Sequence, residues 1–305
     1  AVIDSFGSLT WTGMQTPVRR KAGGGLLFTE HSGTCARGIR HALVFLCRMS
    51  KPLSSRIIVV TGATSGFGEA TARRFAADGW RVIITGRRRD RLDALQRELE
   101  GLHGTLERGT VVHVLRFDVR DNAAVEQAIG SLPLEWQAID VLVNNAGLAM
   151  GRDPIQDGKL DDWEAMLDTN VKGLLHVSRA VIPGMIARGG GHIINLGSTA
   201  GREVYPNGNV YCASKHAVDA LSKAMRLDLL PHGIKVTQIA PGLAETEFSV
   251  VRFHGDVNKA KEVYKGMKPL VGEDIANLIH FAVAQPPHVC INHLEVTPTA
   301  QANNY

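Results

Sequence analysis

From residue 56 onward the chain alternates short β-branched runs with longer stretches of helical period, and that alternation restricts the fold more than anything else in the sequence. The runs are "RIIVVT", "RVIITG", "VVHVLRFD", "IDVLVNN", "HIINLGS", "KVTQIAPG" and "HLEVTP". Between them, residues 68–78, 90–100, 121–131, 161–187, 210–230 and 273–284 suit helices. Continuous apolar strands bounded by Gly or Asn, with helices between them, are strands buried on both faces, as in a parallel sheet. The expectation is an α/β fold: one doubly wound domain over 49–305, with a mainly parallel seven-stranded sheet flanked by helices. No repeat, low-complexity tract or linker interrupts the chain after residue 55.

Residues 1–48 read differently. Gly, Ser, Thr and Arg are scattered there with no sustained period, and "KAGGG" at 21–25 breaks any element. Six basic residues (Arg19, Arg20, Lys21, Arg37, Arg40, Arg48) face two acidic ones (Asp4, Glu30), so the whole net charge of +4 resides in this leader. The remaining residues hold 28 of the 34 basic and 28 of the 30 acidic side chains, and so balanced a body implies no nucleic-acid surface. The expectation for 1–48 is a disordered or non-native leader, one hypothesis being that translation starts at Met49. A basic, acid-poor transit peptide is the rival reading. The apolar run "ALVFLC" at 42–47 is far too short to span a membrane. Cys35, Cys47, Cys212 and Cys290 form no C-x-x-C pair and no metal-spaced cluster, so no metal site is expected. A reducing compartment, the cytoplasm, fits best.

The first strand runs into "TGATSGFGEATARRF", with Gly62, Gly66 and Gly68 opening a helix. Glycines there let backbone approach a pyrophosphate, whose charge meets the free amides of the helix N-terminus. Taken alone a glycine-rich turn is a weak signal; between the first strand and helix of a βαβ unit it points to nucleotide binding. At the end of strand two, where an Asp or Glu would accept from a ribose 2′-hydroxyl, the sequence has "TGRRRDRL". A carboxylate would repel a 2′-phosphate, whereas Arg87 and Arg88 can pair with it, so NADP is the expected cofactor. A solvated basic helix start is the competing reading, since Arg89 and Arg91 follow.

"VYCASKHAV" at 210–218 sets Tyr211 and Lys215 four apart, hence on one face of a helix with β-carbons roughly 5–6 Å apart. An isolated pair of this kind is ordinarily a snorkelling lysine beside a half-buried tyrosine. It acquires another meaning if a hydride must move, because a proton then moves on the attached oxygen and a free phenol of pKa about 10 is a poor base. An ammonium beside the phenol would favour the phenolate and lower that pKa. Asn170, flanked by Met166, Leu167, Gly173 and Leu174 on the predicted helix, places an amide in an apolar stripe, where it needs partners. Ser198 follows a strand end and would be an unremarkable turn serine by itself.

"TGATSGFG", "NNAG" at 144–147, Asn170 in "LDTNVKG", "INLGSTAG" at 194–201, "YCASK" at 211–215 and "PGLAET" at 241–246 stand in the order and spacing of the short-chain dehydrogenase/reductase family. The chain resembles that family over essentially all of 55–300. The resemblance implies a Rossmann fold and an NADP-dependent oxidoreductase. It makes Tyr211 the general acid/base, Ser198 the group holding the substrate oxygen, Lys215 the ammonium that also bonds the nicotinamide ribose, and Asn170 the anchor of a water linking Lys215 to solvent. It implies cofactor contacts from Gly62, Thr64, Ser65, Gly66, Phe67 and Gly68, from Asn145, Ala146 and Gly147, and from Pro241, Gly242 and Thr246. Asp118 and Val119 match the adenine side, and Asn144 opens the loop supporting the central strand. A homotetramer paired through 161–187 and 210–230 is also implied.

Within the family, "SLPLEWQAIDVLVNNAGLA", "GNVYCASK", "TEFSVVRFHGD" and "INHLEVTP" resemble the NADP-dependent 3-hydroxy acid dehydrogenase branch, including serine and allo-threonine dehydrogenases. A small carboxylate substrate needs a cation near the catalytic tyrosine; Arg252 is the first candidate and Arg202 the second. The 246–270 loop is one residue shorter around "PGLAETEF" than the branch pattern. Reduction of bulkier uncharged ketones is the alternative function, which the charges Glu247, Arg252, Asp256, Lys259, Lys261 and Glu262 argue against; a non-catalytic NADP-sensing regulator is the third. Cys212 is expected to be a small packing residue.

Overall fold

Alternate side chains of the first strand leave its two faces, and both faces are buried. Ile57 and Val59 join one apolar cluster while Ile58 and Val60 join the other, none more than 1% exposed. This is the continuous-run signature of a strand with helices on both sides. The computed structural model describes residues 55–102 and 111–301, together with the backbone of Val2–Ile3 and Leu9–Thr10, which pair antiparallel. The expectations for the rest of 1–48 lie outside the described residues.

In chain order the main body comprises β1 (Ile57–Val60), α1 (Gly66–Ala77), β2 (Arg81–Gly86), α2 (Arg89–Leu102), β3 (Val112–Arg116), α3 (Asn122–Gly130) and β4 (Ile139–Asn144). It continues with α4 (Leu160–Leu167), α5 (Leu174–Ala187), β5 (Gly191–Leu196), α6 (Asn209–Leu229) and β6 (Ile234–Pro241). The short helices α7 (Glu247–Arg252) and α8 (Val257–Glu262) precede α9 (Gly272–Ala284) and β7 (His293–Val296). The strands lie in the order β3-β2-β1-β4-β5-β6-β7, and every neighbouring pair is parallel, so the sheet is wholly and not merely mainly parallel. The order reverses between β1 and β4, where a crevice opens beyond the carboxyl ends of the strands.

One cluster packs Val177, Val181 and Met185 of α5 with Val218 and Met225 of α6 against the sheet. The other packs Phe75 of α1, Leu92 and Leu99 of α2, and Ile275 and Ile279 of α9 against the opposite face. A polar ladder crosses the first face: Asn144 donates to Ser178 Oγ at 2.9 Å and to Asn195 Oδ1 at 3.0 Å, and Asn195 donates to Ser222 Oγ at 2.9 Å. Asn144 thus ties β4 to its neighbours, as its place at the end of the strand suggested.

The predicted single helix over 161–187 is two helices joined by a π-helical turn, Asp168–Gly173. Its cause is tertiary. Asn170, at the centre of that turn and 2% exposed, is drawn toward Leu148 and Ser214. Inserted π turns of this sort recur where a helix must aim a side chain into a site.

Candidate active site

The strand ends surround a cleft of about 550 Å³, within the range of a small-molecule or cofactor site. Its floor is the glycine turn between β1 and α1. Gly62 and Gly66 have φ of +65° and +55°, a region where side chains are strained. A Cβ on Gly68 would come within 2.5 Å of Gly62 O, so this cradle accepts no side chain. Thr61 fastens it to the loop after β4: its hydroxyl accepts from Asn145 N and Ala146 N, both at 3.0 Å, while Asn145 Nδ2 donates to Thr61 O at 2.7 Å. Gly62, Thr64, Ser65, Gly66, Phe67, Asn145, Ala146, Gly147, Pro241, Gly242 and Thr246 all line the cleft, with Asp118 and Val119 at its side. Gly68 lies beneath it. Such a bare, positively turned cradle fits a pyrophosphate.

At the end of β2 the two arginines behave differently. Arg87 is 59% exposed, with Asp118 3.7 Å away. Arg88 folds onto the glycine turn, donating from Nη2 to Thr64 O at 3.1 Å, Thr64 Oγ1 at 2.9 Å and Ser65 Oγ at 3.0 Å. Its Nη1 meets Glu247 of α7 at 2.9 Å, and Arg91 binds the other oxygen of the same carboxylate. Arg87 and Arg88 therefore line the cleft, while Arg89, 62% exposed, pairs with Asp93 along its own helix as a solvated helix start would. Glu247, counted from the sequence only among the charges of a loop, spans the cleft from the opposite rim.

The Tyr211 and Lys215 pair occupies the first two turns of α6, with both side chains under 10% exposed. Ser198 caps the turn after β5, accepting from Ala200 N at 3.1 Å and donating to Pro241 O at 3.3 Å. Asn170 Nδ2 donates to Leu148 O at 2.8 Å and Ser214 Oγ at 3.0 Å, and its Oδ1 accepts from Leu148 N at 2.8 Å. The side chain is thus a brace, leaving one lone pair of Oδ1 for the water assigned to it by the resemblance. Ser214, which carries no sequence signal of its own, completes that brace by donating to Tyr211 O at 2.7 Å.

In the protein alone the Lys215 ammonium donates to Leu196 O at 2.8 Å and lies 5.9 Å from the Tyr211 ring centre. Burial pushes the phenol up, with Ser198 and Arg252 opposing, and burial pushes Lys215 down to about 8.

Arg252, at the last residue of α7, has its Cζ 5.4 Å from the ring centres of both Tyr211 and Tyr205, and it donates to the Tyr205 hydroxyl. Arg202 is exposed and lies outside the cleft lining. The loop charges do not all reach the cleft: Asp256 and Lys259 pair with each other on the surface, and Phe248, Val251, Val263, Tyr264 and Met267 turn toward the cleft with Arg252 and Glu262. Cys212 is buried, 1% exposed, in the packing expected of it. Among the described residues no group of His, Cys, Asp and Glu could hold a metal ion, and no helix is long and apolar enough to cross a membrane.

The family model of the short chain dehydrogenases matches residues 56–256. An NADP-dependent 3-hydroxy acid dehydrogenase of Salmonella typhi is 49% identical over 81% of this chain and 96% of its own length. A serine 3-dehydrogenase of Rhizobium radiobacter is 45% identical over the same shares of each chain. A solved serine dehydrogenase in its closed form with NADP+ superposes with a TM-score of 0.77 at 48% identity, covering 81% of this chain and 96% of that one. The motifs, the wholly parallel sheet and these likenesses converge, and the chain belongs to the short-chain dehydrogenase family.

Proposed function

We propose that the protein is an NADP(H)-dependent oxidoreductase that interconverts the 3-hydroxyl of small 3-hydroxy acids with the corresponding carbonyl. The observation that carries the substrate class is Arg252, 5.4 Å from the Tyr211 ring and without a carboxylate partner among the described residues. Relatives named for 3-hydroxy acids and serine support the same reading.

The dinucleotide would lie over the glycine turn, with Arg87 and Arg88 toward a 2′-phosphate, Asp118 and Val119 at the adenine side, and Asn145 to Gly147, Pro241, Gly242 and Thr246 along its length. Its nicotinamide, when bound, supplies or accepts the hydride. Ser198 Oγ holds the substrate oxygen and Tyr211 Oη passes the proton to or from it. The same hydroxyl gives its proton to the substrate oxygen in carbonyl reduction and takes one from it in alcohol oxidation. Lys215 fixes the floor of the site through Leu196 O, and Asn170 holds the Tyr211 turn of α6 through Ser214. Arg252 anchors the carboxylate.

Initial rates of NADP+ reduction with L-serine, L-allo-threonine and 3-hydroxypropionate, set beside an uncharged secondary alcohol and repeated with NAD+, test this. Turnover confined to NADP+ and the acids is expected. Turnover of the uncharged alcohol alone would favour the second reading, a reductase of bulkier ketones, for which the apolar flank of Phe248, Val263 and Met267 is the supporting feature. A homotetramer is part of the proposal: Leu160, Leu167, Leu175 and Ile186 on α4 and α5 and Leu227 on α6 are exposed apolar side chains on the helices expected to pair. Light scattering on the eluting protein reads its mass. The free thiols Cys212 and Cys290 suit the cytoplasm.

A further inference from the structure

The charges lining the cleft are unevenly paired. Among its carboxylates, Asp118 is held by Arg120 at 2.7 Å, Glu247 by Arg88 and Arg91, and Glu262 by Lys265 at 3.3 Å. At the substrate end stand two arginines that pair with no carboxylate among the described residues, Arg252 and Arg152. Arg152 lies on the loop after β4, exposed to solvent, with its Cζ 5.7 Å from the Tyr205 ring centre; Arg252 approaches the same ring at 5.4 Å. The two are held together through the backbone, since Gly151 N donates to Arg252 O at 3.0 Å. Arg252 Nε is buried with no partner at all, a donor whose desolvation nothing in the protein offsets. Asp153 and Asp162 flank Gly151 on the side of a small neighbouring cavity, where Asp162 accepts from His254 at 3.1 Å.

We infer that Arg152, Arg252 and the Tyr205 hydroxyl form a two-cation subsite, and that the preferred substrates are 3-hydroxy acids carrying a second anionic group and no ammonium. This deepens the proposed function and rests on it. A single carboxylate leaves one guanidinium without a counter-charge, whereas a diacid neutralises both. An α-ammonium, as in serine, would enter a field of two like charges and be disfavoured.

The test measures kcat/KM for 3-hydroxybutyrate, 3-hydroxyglutarate and L-serine with NADP+, in the wild type and in Arg152→Gln. The wild type is expected to favour 3-hydroxyglutarate over 3-hydroxybutyrate by about tenfold and to turn over serine most slowly, the size expected of one additional charge-assisted contact. Arg152→Gln should lower the ratio of diacid to monoacid to near one, mainly through KM. A wild type that handles 3-hydroxybutyrate or serine at least as well as the diacid overturns the inference. So does a variant in which the ratio is unmoved. Failure of the underlying reading is distinguishable: no acid would then be a substrate, while an uncharged alcohol would.

Discussion

Glu247 competes for the arginines that a 2′-phosphate would use, and Glu247→Gln measures how strongly. Its carboxylate meets Arg88 at 2.9 Å and Arg91 at 2.5 Å, and all three side chains are about 40% exposed. Pairs so exposed contribute about 0.2–1 kcal/mol each, so giving up both costs about 1 kcal/mol. Arg88 stays in place without Glu247, because Thr64 O, Thr64 Oγ1 and Ser65 Oγ still accept from it. The variant therefore gains affinity without losing the shape of its phosphate site. NADPH should bind about fivefold more tightly. NADH, which has no 2′-phosphate, should gain little. Fluorescence titration of both cofactors at low salt reads the difference, which should shrink at 1 M salt as screening shortens to about 3 Å. Weaker NADPH binding, or an equal gain for NADH, would refute the reasoning, since either would mean that Glu247 does not compete with the phosphate.

Three further outcomes are expected. Arg87→Asp puts a carboxylate where Arg87 now extends into solvent, 59% exposed, and should cut the preference for NADP(H) over NAD(H) by roughly tenfold to a hundredfold, read from the two cofactors' kcat/KM. Tyr211→Phe removes the proton-transferring hydroxyl and should lower kcat by roughly 10²–10⁴ on every substrate, while circular dichroism stays that of the wild type. His192, 4% exposed on β5 and accepting or donating only at Thr237 Oγ1 (2.8 Å), is pushed down to about 3 by burial, with Lys235 adding to it. Since its unfolded value is near 6.5, the unfolded chain binds the extra proton, and stability present above pH 6.5 is lost as pH falls toward 3. That amounts to about 2 kcal/mol at pH 5, so His192→Gln should flatten the pH dependence of denaturant unfolding between pH 4 and 6.5; an unchanged slope would mean that His192 takes up its proton without unfolding.

The parts legible in the sequence were those carried by local pattern. Seven apolar runs became seven parallel strands, and Gly62, Gly66 and Gly68 became a cradle, because backbone conformation at a glycine is fixed within a few residues of itself. Tyr211, Ser198, Lys215 and Asn170 were found through ordered motifs. What stayed hidden depends on distant partners. The extra residue in the Asp168–Gly173 turn leaves no mark in composition, since it is Leu148 and Ser214 that pull Asn170 inward. The contact between Arg88 and Glu247 joins residues 159 apart. Arg152 stood in an irregular loop with no period to read, and only its approach to Tyr205 sets it apart from a surface arginine. Helical spacing places Lys215 beside Tyr211 but does not give its rotamer, and in the protein alone its ammonium turns to Leu196 O.

The six residues of α7 connect the two ends of the cleft. Glu247, its first residue, holds the arginines beside the phosphate turn; Arg252, its last, faces Tyr211 and is tied through its carbonyl to the loop bearing Arg152. Thr246 caps the helix, accepting from Phe248 N at 3.2 Å, and sits where a Cβ on Gly66 would touch it, so the helix begins against the cofactor cradle itself. On the proposed function, a phosphate that took the arginines from Glu247 would release one end of this helix while a substrate anion engaged Arg252 at the other, and any effect of one on the other's affinity would be returned by the same factor. The bound on that reciprocity is the free energy exchanged at the ion pairs, about 1 kcal/mol, or about fivefold in either affinity. Coupling of that size would bias the joint occupancy of cofactor and acid without making either one obligatory for the other.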